Sequence, residues 1–480
     1  MEKLNVCLIN DSFPPAIDGV ANAVTNYARI IKRDYGNPTV VTPYYPDADD
    51  AVFDFPVIRY PSVDMTKLVG YRAGIPFSPE ISAKMETSNF DIIHSHCPIT
   101  STLLARSVRW QLKVPLVFTY HTKFDIDIAN AIHSQILREE AARLLVENIA
   151  SCDEVWTVSH GAGENLRQLG YEGDWIVMPN GGDFPKGRVD DRLIDEVTSV
   201  FPLPADVPLF LFVGRMMWYK GIRISLDALK TLQEDGYDFR MVFVGGGTDK
   251  EEIMRYSSEA GLDGRVFFAD PIHDRDRIRA WYCRADLFLF PSTFDTNGLV
   301  VREAAACGLA SVLVEGSCAA EDVEDGVSGF FIEENAVSMA EKLRKLLDHP
   351  EAMKTVGQGA QENIYISWDT AVKGAYERYG VVIENYRAGK YPVPGKLSDE
   401  RLKRIGDFLN LVGQRELAAQ ELRERMAEEL QQRKIVRFDA AVTDRFFQRA
   451  KGNLTGIKDH LDARQSKFEE DLKEFYDIFL

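Results

Sequence analysis

The chain has 480 residues and a net charge of −18, with 45% hydrophobic and 27% charged residues. This composition is typical of a folded protein with more than one core, and no apolar run reaches the roughly 18 residues that a membrane span needs. The acidic balance disfavours nucleic acid and anionic membranes as simple electrostatic partners.

The N-terminus and the cysteines point to the cytoplasm. Residues 1–10 lack the layout of a signal peptide and have the pattern of a first strand, so we expect a cytoplasmic protein. Most of the six cysteines lie in apolar or small-residue surroundings, and we expect all six to be reduced: Cys7, Cys97, Cys152, Cys283, Cys307 and Cys318. Neither they nor the histidines show the paired spacing of a metal site, so no metal is expected.

The chain alternates apolar runs of strand length with helical patterns, and it does so twice. The first set of predicted strands covers residues 6–9, 38–42, 92–94, 116–120 and 154–158, with helices near 21–32, 101–110 and 161–169. The second set covers residues 209–213, 240–244, 266–268, 287–290 and 311–314. Such alternation predicts an α/β fold with two Rossmann-like, doubly wound domains, residues 1–183 and 205–366, which face a ligand-binding cleft.

Two loops of the first half follow predicted strands. In the loop after the first strand, Gly19 either lets the backbone approach a ligand closely or serves only as a turn glycine. His121 ends the strand at residues 116–120 and therefore faces the cleft, where it can hydrogen-bond a sugar or act as an acid or base. His94 and His96 end another strand, and we interpret them as packing or supporting groups.

Two cations in the second half are placed to bind a diphosphate. Arg215 and Lys220 follow the strand at residues 209–213 and are expected to converge on one loop. Arginine offers a bidentate fork and lysine a mobile point charge, so together they can neutralise two phosphates. A surface pair of no functional importance is the alternative.

Residues 285–308 predict a strand, a short loop and a helix. The amides near Gly298 would form a helix N-terminus that favours phosphate. Asp295 and Glu303 lie eight residues apart, and carboxylates beside a phosphate site are better suited to accept hydrogen bonds from sugar hydroxyls. An ordinary strand-to-helix loop with solvated acids is the alternative.

The paired acids, together with the Gly-Arg pair at 214–215 and the Lys-Gly pair at 220–221, resemble the motifs of family-four GT-B glycosyltransferases. The resemblance covers about residues 4–390, with residues 367–388 as the helix that crosses back to the first domain. It implies a retaining enzyme that moves a hexose, with UDP-glucose the first expectation, to a hydroxyl acceptor without a metal or cofactor. Residues 1–183 would then bind the acceptor, and residues 205–366 the nucleotide sugar.

The resemblance also implies a role for each site residue. Asp295 and His121 would contact the transferred sugar, Glu303 the ribose, and Arg215 and Lys220 the pyrophosphate. The catalytic set would be His121, Asp295, Arg215 and Lys220. The donor-binding set would be Gly19, Arg215, Lys220, Ile272, Asp295, Asn297, Gly298, Leu299 and Glu303. Asp295 stands where the family usually has glutamate, and Asn297 where it usually has phenylalanine.

The acceptor stays open at this point. Residues 119–125 and 318–320 are similar to those of bacterial diacylglycerol glucosyltransferases, which implies a glycolipid product and a peripheral position at the inner membrane face. The predicted helix at residues 135–150 lacks the basic face expected of a lipid-binding helix, which favours a soluble sugar or polysaccharide instead. A nucleotide-sugar epimerase or a phosphorylase of the same fold is a further alternative.

The last 84 residues fall outside the resemblance. Residues 397–480 predict amphipathic helices with apolar residues spaced three and four apart. Such helices would pack on the enzyme body or on a second copy of the chain, and weak membrane contact is the rival interpretation. The altered residues at 295 and 297 also motivate a hypothesis of another class, a catalytically weak scaffold that assembles through this extension.

Overall fold

The computed structural model describes residues 3–16, 18–64, 72–76, 79–124 and 135–391. The predicted helical extension at residues 397–480 lies outside these ranges, so its roles as an oligomer interface or membrane contact stay predictions. Within the described residues, no helix is long and apolar enough to cross a membrane.

The first half of the described chain builds a seven-stranded parallel sheet from β1 (Asn5–Ile9), β2 (Asn37–Pro43), β3 (Val57–Tyr60), β6 (Ile92–Ser95), β7 (Leu116–Tyr120), β8 (Glu154–Thr157) and β9 (Ile176–Val177). The strand order is β3-β2-β1-β6-β7-β8-β9. A separate antiparallel hairpin joins β4 (Ser62–Asp64) to β5 (Arg72–Gly74). The order reverses between β1 and β6, so the loops after these strands border a crevice.

The second half forms a similar six-stranded parallel sheet from β10 (Leu209–Val213), β11 (Arg240–Val244), β12 (Val266–Ala269), β13 (Leu287–Phe290), β14 (Ser311–Val314) and β15 (Phe330–Ile332). The strand order is β12-β11-β10-β13-β14-β15. Here the reversal falls between β10 and β13. The loops that carry Lys220 and Asp295 therefore lie side by side at the ligand-binding edge.

Helices cover both sheets and connect successive strands, which confirms the predicted α/β class with two Rossmann-like sheets. In the first half they are α1 (Gly19–Ile30), α2 (Pro79–Thr87), α3 (Thr100–Leu112), α4 (Gln135–Ala150) and α5 (His160–Gln168). In the second half they are α6 (Asp191–Thr198), α7 (Ile222–Glu234), α8 (Lys250–Glu259), α9 (Arg275–Arg284), α10 (Leu299–Ala306), α11 (Ala336–Asp348), α12 (Pro350–Asn363) and α13 (Trp368–Arg387).

The last of these helices, α13, packs on the first sheet rather than the second. Ser367 caps its N-terminus by accepting a hydrogen bond from the Thr370 amide. Trp368, Tyr376 and Tyr379 are buried in the apolar core that α1, β1 and β8 also supply. The chain thus returns to its first half, as the crossing helix of the resembling family does.

A partly buried ion pair also holds α13 to the first sheet. Glu154 of β8 accepts hydrogen bonds of 3.0 and 2.6 Å from Arg378, 3.0 Å from the Trp156 indole and 2.6 Å from the Tyr391 hydroxyl. Desolvation alone would raise the pKa of Glu154, but these donors outweigh it and hold that pKa below its usual value.

Replacing Arg378 with alanine is expected to lower the free energy of unfolding by about 1–2 kcal/mol, because a charged acceptor loses its strongest donor. Since the pKa of Glu154 is depressed in the folded state, this stabilisation is present above the carboxyl's unfolded pKa and is lost as the pH falls through the folded pKa. Urea unfolding of both proteins at neutral and acidic pH would measure it. Lys373→Ala, which removes an exposed pair with Glu377 on the same helix, is the control and should change little.

Candidate active site

Lys220 and Asp295 meet at the reversal point of the second sheet. The loop after β10 closes in a short 3-10 turn, Trp218–Lys220, which places the lysine. Gly221 follows with a φ of 74°, and a side chain there would come within 2.0 Å of the Pro291 carbonyl oxygen. This close approach seats the lysine loop on the loop after β13, where the Lys220 Nζ lies 2.5 Å from Asp295 Oδ2.

Arg215 lies at the same place but stays exposed. Its guanidinium is 6.0 Å from the centre of the Tyr219 ring, and the Lys220 Nζ is 5.7 Å from the same ring. Tyr219 in turn packs edge-on against Phe294 at 4.7 Å. Arg215 makes no ion pair with any residue that the structure describes, so its charge is available to a ligand. The two predicted cations are thus brought to one aromatic platform beside Asp295.

Helix α10 presents uncapped amides to this loop. Gly298 precedes it with a φ of 57°, and a side chain at this position would lie 3.0 Å from the Cα of Ala319. Leu299 is the first helical residue, and no described side chain caps the helix. Its N-terminal amides are therefore free to bind an anion, as the sequence predicts.

Glu303 is buried on the same helix and has two partners that the sequence analysis missed. Its carboxylate accepts a 2.6 Å hydrogen bond from Arg275 and a 3.0 Å bond from the Tyr282 hydroxyl, both on α9. Burial raises the pKa of Glu303, although Arg275 opposes the shift. Arg275 also donates to Asp183 at 2.9 Å, which places a cation beside the predicted ribose site.

Asn297, assigned to the donor set, has a different contact in the structure. Its amide donates to the carbonyl of Val158 at the end of β8, and its Oδ1 is buried without a partner among the described residues. Nearby, Ser159 donates to the carbonyl of Thr296 at 2.5 Å. This part of the loop therefore joins the two halves of the described chain, and a donor contact by Asn297 stays a prediction.

The other predicted donor residues have simpler environments. Gly19 is the first residue of α1, where the Asp18 carboxylate accepts from the amides of Val20 and Ala21 at 2.8 and 2.7 Å. A side chain on Gly19 would meet nothing within 4 Å, so no steric need for glycine exists there. Ile272 follows β12, half-buried against the second core. Donor contacts by both residues stay predictions.

His121 directly follows β7 and is buried. Desolvation lowers the pKa of His121 to about 3, so the ring is neutral at physiological pH. A neutral imidazole can donate and accept one hydrogen bond each, which suits an uncharged sugar better than proton donation near neutrality. Lys123 in the same loop donates to the Thr293 carbonyl at 3.4 Å, which joins this loop to the one carrying Asp295.

A cavity of about 470 Å³ lies in the cleft between the two halves. Lys123 and residues of α5 form one wall, and residues following β13, β14 and β15 form the other. Its charged lining consists of one cation and four acids: Lys123, Glu164, Glu315, Glu333 and Glu334. Among the residues described, no group of three or more His, Cys, Asp or Glu side chains could hold a metal ion.

Comparisons with known families match both halves of the chain. The model described as Glycosyltransferase Family 4 matches residues 17–184, and the model described as Glycosyl transferases group 1 matches residues 194–363. Together they span well over half of the chain.

Similar proteins include a D-inositol 3-phosphate glycosyltransferase from Mycolicibacterium smegmatis, 28% identical over 68% of this chain and 75% of the relative. An alpha-monoglucosyldiacylglycerol synthase from Acholeplasma laidlawii is 22% identical over 75% of this chain and 92% of the relative. Among solved structures, Anabaena Alr3699/HepE in complex with UDP has a TM-score of 0.61 at 19% identity, over 79% of this chain and all of the other. WaaG, a glycosyltransferase involved in lipopolysaccharide biosynthesis, has a TM-score of 0.57 at 17% identity, over 78% of this chain and 99% of WaaG. The chain therefore belongs to the group 1 glycosyltransferases and has the GT-B fold.

Proposed function

We propose that this glycosyltransferase moves a hexose, with glucose as the first expectation, from a UDP-sugar to a hydroxyl acceptor and retains the anomeric configuration. The observation that carries the proposal is the arrangement at the second sheet's reversal point. There Lys220, Arg215 and the uncapped N-terminus of α10 surround the loop of Asp295. Three sources of positive potential at one edge suit a diphosphate.

In the proposed mechanism, this positive group stabilises the diphosphate as it leaves. The bond between the sugar's anomeric carbon and the diphosphate oxygen breaks, and charge builds up on that oxygen. Preorganised donors aimed at developing charge are the largest contribution in many enzymes. The acceptor hydroxyl then bonds to the anomeric carbon from the same face, and its proton passes to the departing phosphate oxygen. Asp295 and His121 hold the sugar, and no metal is needed.

A UDP-sugar is the first donor to test. Anabaena Alr3699/HepE, whose fold is similar, has been solved with UDP and with UDP-glucose. In this chain, Glu303 lies on α10 about one turn after the helix N-terminus that we propose binds the diphosphate, and a carboxylate there can accept from the two ribose hydroxyls. These observations support a nucleoside diphosphate sugar, and the base and hexose follow from the resemblance.

We assign the acceptor to the cleft cavity, which borders Thr293 of the loop that carries Asp295 and whose lining favours an uncharged polyhydroxylated group. Four glutamates against one lysine in the cleft cavity would repel a phosphate, while their carboxylates accept hydrogen bonds from sugar hydroxyls. Both a free sugar and the sugar headgroup of a glycolipid satisfy this. The similarity to an alpha-monoglucosyldiacylglycerol synthase supports keeping the lipid acceptors in the test.

The test is nucleotide release from a panel of UDP-, GDP- and ADP-sugars, with a chelator present throughout. Each donor is paired with soluble sugars, with a phosphorylated sugar, and with vesicles containing diacylglycerol or a monoglycosyl lipid. We expect release with one UDP-hexose and an uncharged acceptor, and NMR of the product should show the donor's anomeric configuration.

Three results would contradict the proposal. Dependence on a divalent ion would exclude the metal-free mechanism, and an inverted product would exclude retention. Tight UDP binding without release for every pair would favour the scaffold hypothesis.

A further inference from the structure

Three histidines form a buried stack where β6 and β7 end. The His94 and His96 ring centres lie 4.0 Å apart, and those of His96 and His121 lie 5.2 Å apart. His96 Nδ1 is 2.9 Å from His121 Nε2, within hydrogen-bond distance. Both nitrogens of His94 are already bonded, at 2.6 Å, to Thr119 and Tyr379.

The three rings are buried and uncharged. Burial lowers the pKa of His94 and of His96 well below the usual value, and neighbouring histidines lower it further. Burial also lowers the pKa of His121, to about 3. Each ring therefore carries a single N–H, and only one proton lies between His96 and His121.

The proton between the two rings is bonded either to His96 Nδ1 or to His121 Nε2. The surroundings of the other His96 nitrogen, Nε2, favour one of these two tautomers. This atom is fully buried and has no hydrogen-bond partner among the described residues. If His121 donates from Nε2, His96 must carry its proton on Nε2, as a buried N–H with no acceptor. If His96 donates from Nδ1, its Nε2 holds only a lone pair. Orphaned buried N–H groups are rarer than under-used acceptors.

We infer that His96 is a positioning residue that fixes His121 in the tautomer protonated at Nδ1. His121 Nδ1 has no partner among the described residues and is not one of the fully buried polar atoms, so it keeps some exposure although the residue is only 8% exposed. His121 then presents a hydrogen-bond donor to the cleft, suited to an oxygen of the transferred sugar. This assignment of the contacted group rests on the proposed function. The sequence allowed either tautomer, whereas the geometry selects one.

The direct test is NMR of the full-length protein with ¹⁵N-labelled histidine. The chain has eight histidines, and the signals of His121 are assigned by their loss in His121→Gln. Two-bond ¹H–¹⁵N correlations distinguish a protonated from an unprotonated ring nitrogen. We expect protonated Nδ1 and unprotonated Nε2 in His121. A protonated Nε2 would overturn the inference, whatever the enzyme's activity.

Kinetics supply a second test. His96→Leu should lower kcat by about tenfold while leaving the KM for the nucleotide sugar within about twofold, because the proposed contacts of the nucleotide are with Arg215, Lys220 and Glu303 and not with the three histidines. His96→Asn, whose amide can replace the Nδ1 donor, should recover most of the rate. Tyr171→Phe, which removes a buried hydroxyl elsewhere in the first half, controls for lost stability.

The two tests separate the inference from the proposed function. A protein that releases no nucleotide from any donor refutes the function, while the NMR spectrum still decides the tautomer. Full activity of His96→Leu would refute the positioning role.

Discussion

Lys220→Ala is expected to lower kcat by about 10²–10³-fold, the loss seen when an enzyme loses one preorganised donor to a developing anion. The lysine is nearly buried and is held 2.5 Å from Asp295 Oδ2. Its position is therefore set before the donor binds, and no rearrangement is needed as charge appears on the leaving diphosphate. Steady-state rates of nucleotide release at saturating donor would measure the effect.

The loss could also arise because Asp295 is left without its cation, and a second variant separates these causes. Lys220→Ala combined with Asp295→Asn removes the orphaned charge, yet it should remain as slow as the single variant or slower. Lys230→Ala, on the exposed face of α7 beside Glu234, is the matched control and should keep the normal rate.

Adding Arg215→Ala to Lys220→Ala should lower the rate further, since both cations serve one anion. Normal turnover by that double variant would exclude the leaving-group role.

The central strands could be read from the sequence because burial on both faces demands continuous apolar runs. The predicted bounds of β7, β10, β11, β13 and β14 agree with the structure. The edge strands β3, β9 and β15 and the hairpin β4-β5 were not predicted, whereas β12, the other edge strand, was predicted to within one residue. In β3, Val57–Tyr60, three of four residues are only half-buried, so its pattern resembles that of a loop. An edge strand pairs with one neighbour only and can be less buried, so its residues need not form a continuous apolar run.

Sequence patterns predict some contacts of the candidate site and miss others. Lys220 and Asp295 are 75 residues apart, yet both follow strands at a reversal point, and a doubly wound topology brings such loops together. Arg275 had no comparable signal, because its contact with Glu303 depends on how α9 packs against α10. The contacts of Asn297 with Val158, and of Glu321 with the His160 amide at 2.6 Å, depend on how the two halves face each other. Side chains that join separate elements are thus the ones that sequence patterns miss.

The second large prediction concerns Glu303, the residue predicted to bind the ribose. Arg275 influences whether the Glu303 carboxyl is ionised, because the two side chains are hydrogen-bonded. Burial raises the pKa of Glu303, and the guanidinium of Arg275, at 2.6 Å, pulls it back toward its usual value. Glu303 must be ionised to accept two hydrogen bonds from the ribose hydroxyls. Glu303→Gln should therefore raise the KM for the donor by about 10–100-fold, the loss expected for hydrogen bonds to a charged acceptor.

Arg275→Gln should reproduce part of this loss in a pH-dependent way. Without the guanidinium, the pKa of Glu303 rises further, so the carboxyl takes up a proton at higher pH and donor binding weakens as the pH falls through that range. As the pH is lowered from neutral to mildly acidic, the KM for the donor should begin to rise at a higher pH in Arg275→Gln than in the unaltered enzyme. In Glu303→Gln the same substitution should cause no such pH shift, since no carboxyl remains to titrate. Arg277→Gln, on the same helix and paired with the exposed Glu196, is the control. Unchanged nucleotide affinity in Glu303→Gln would place the ribose elsewhere and leave the Arg275 contact a purely structural one.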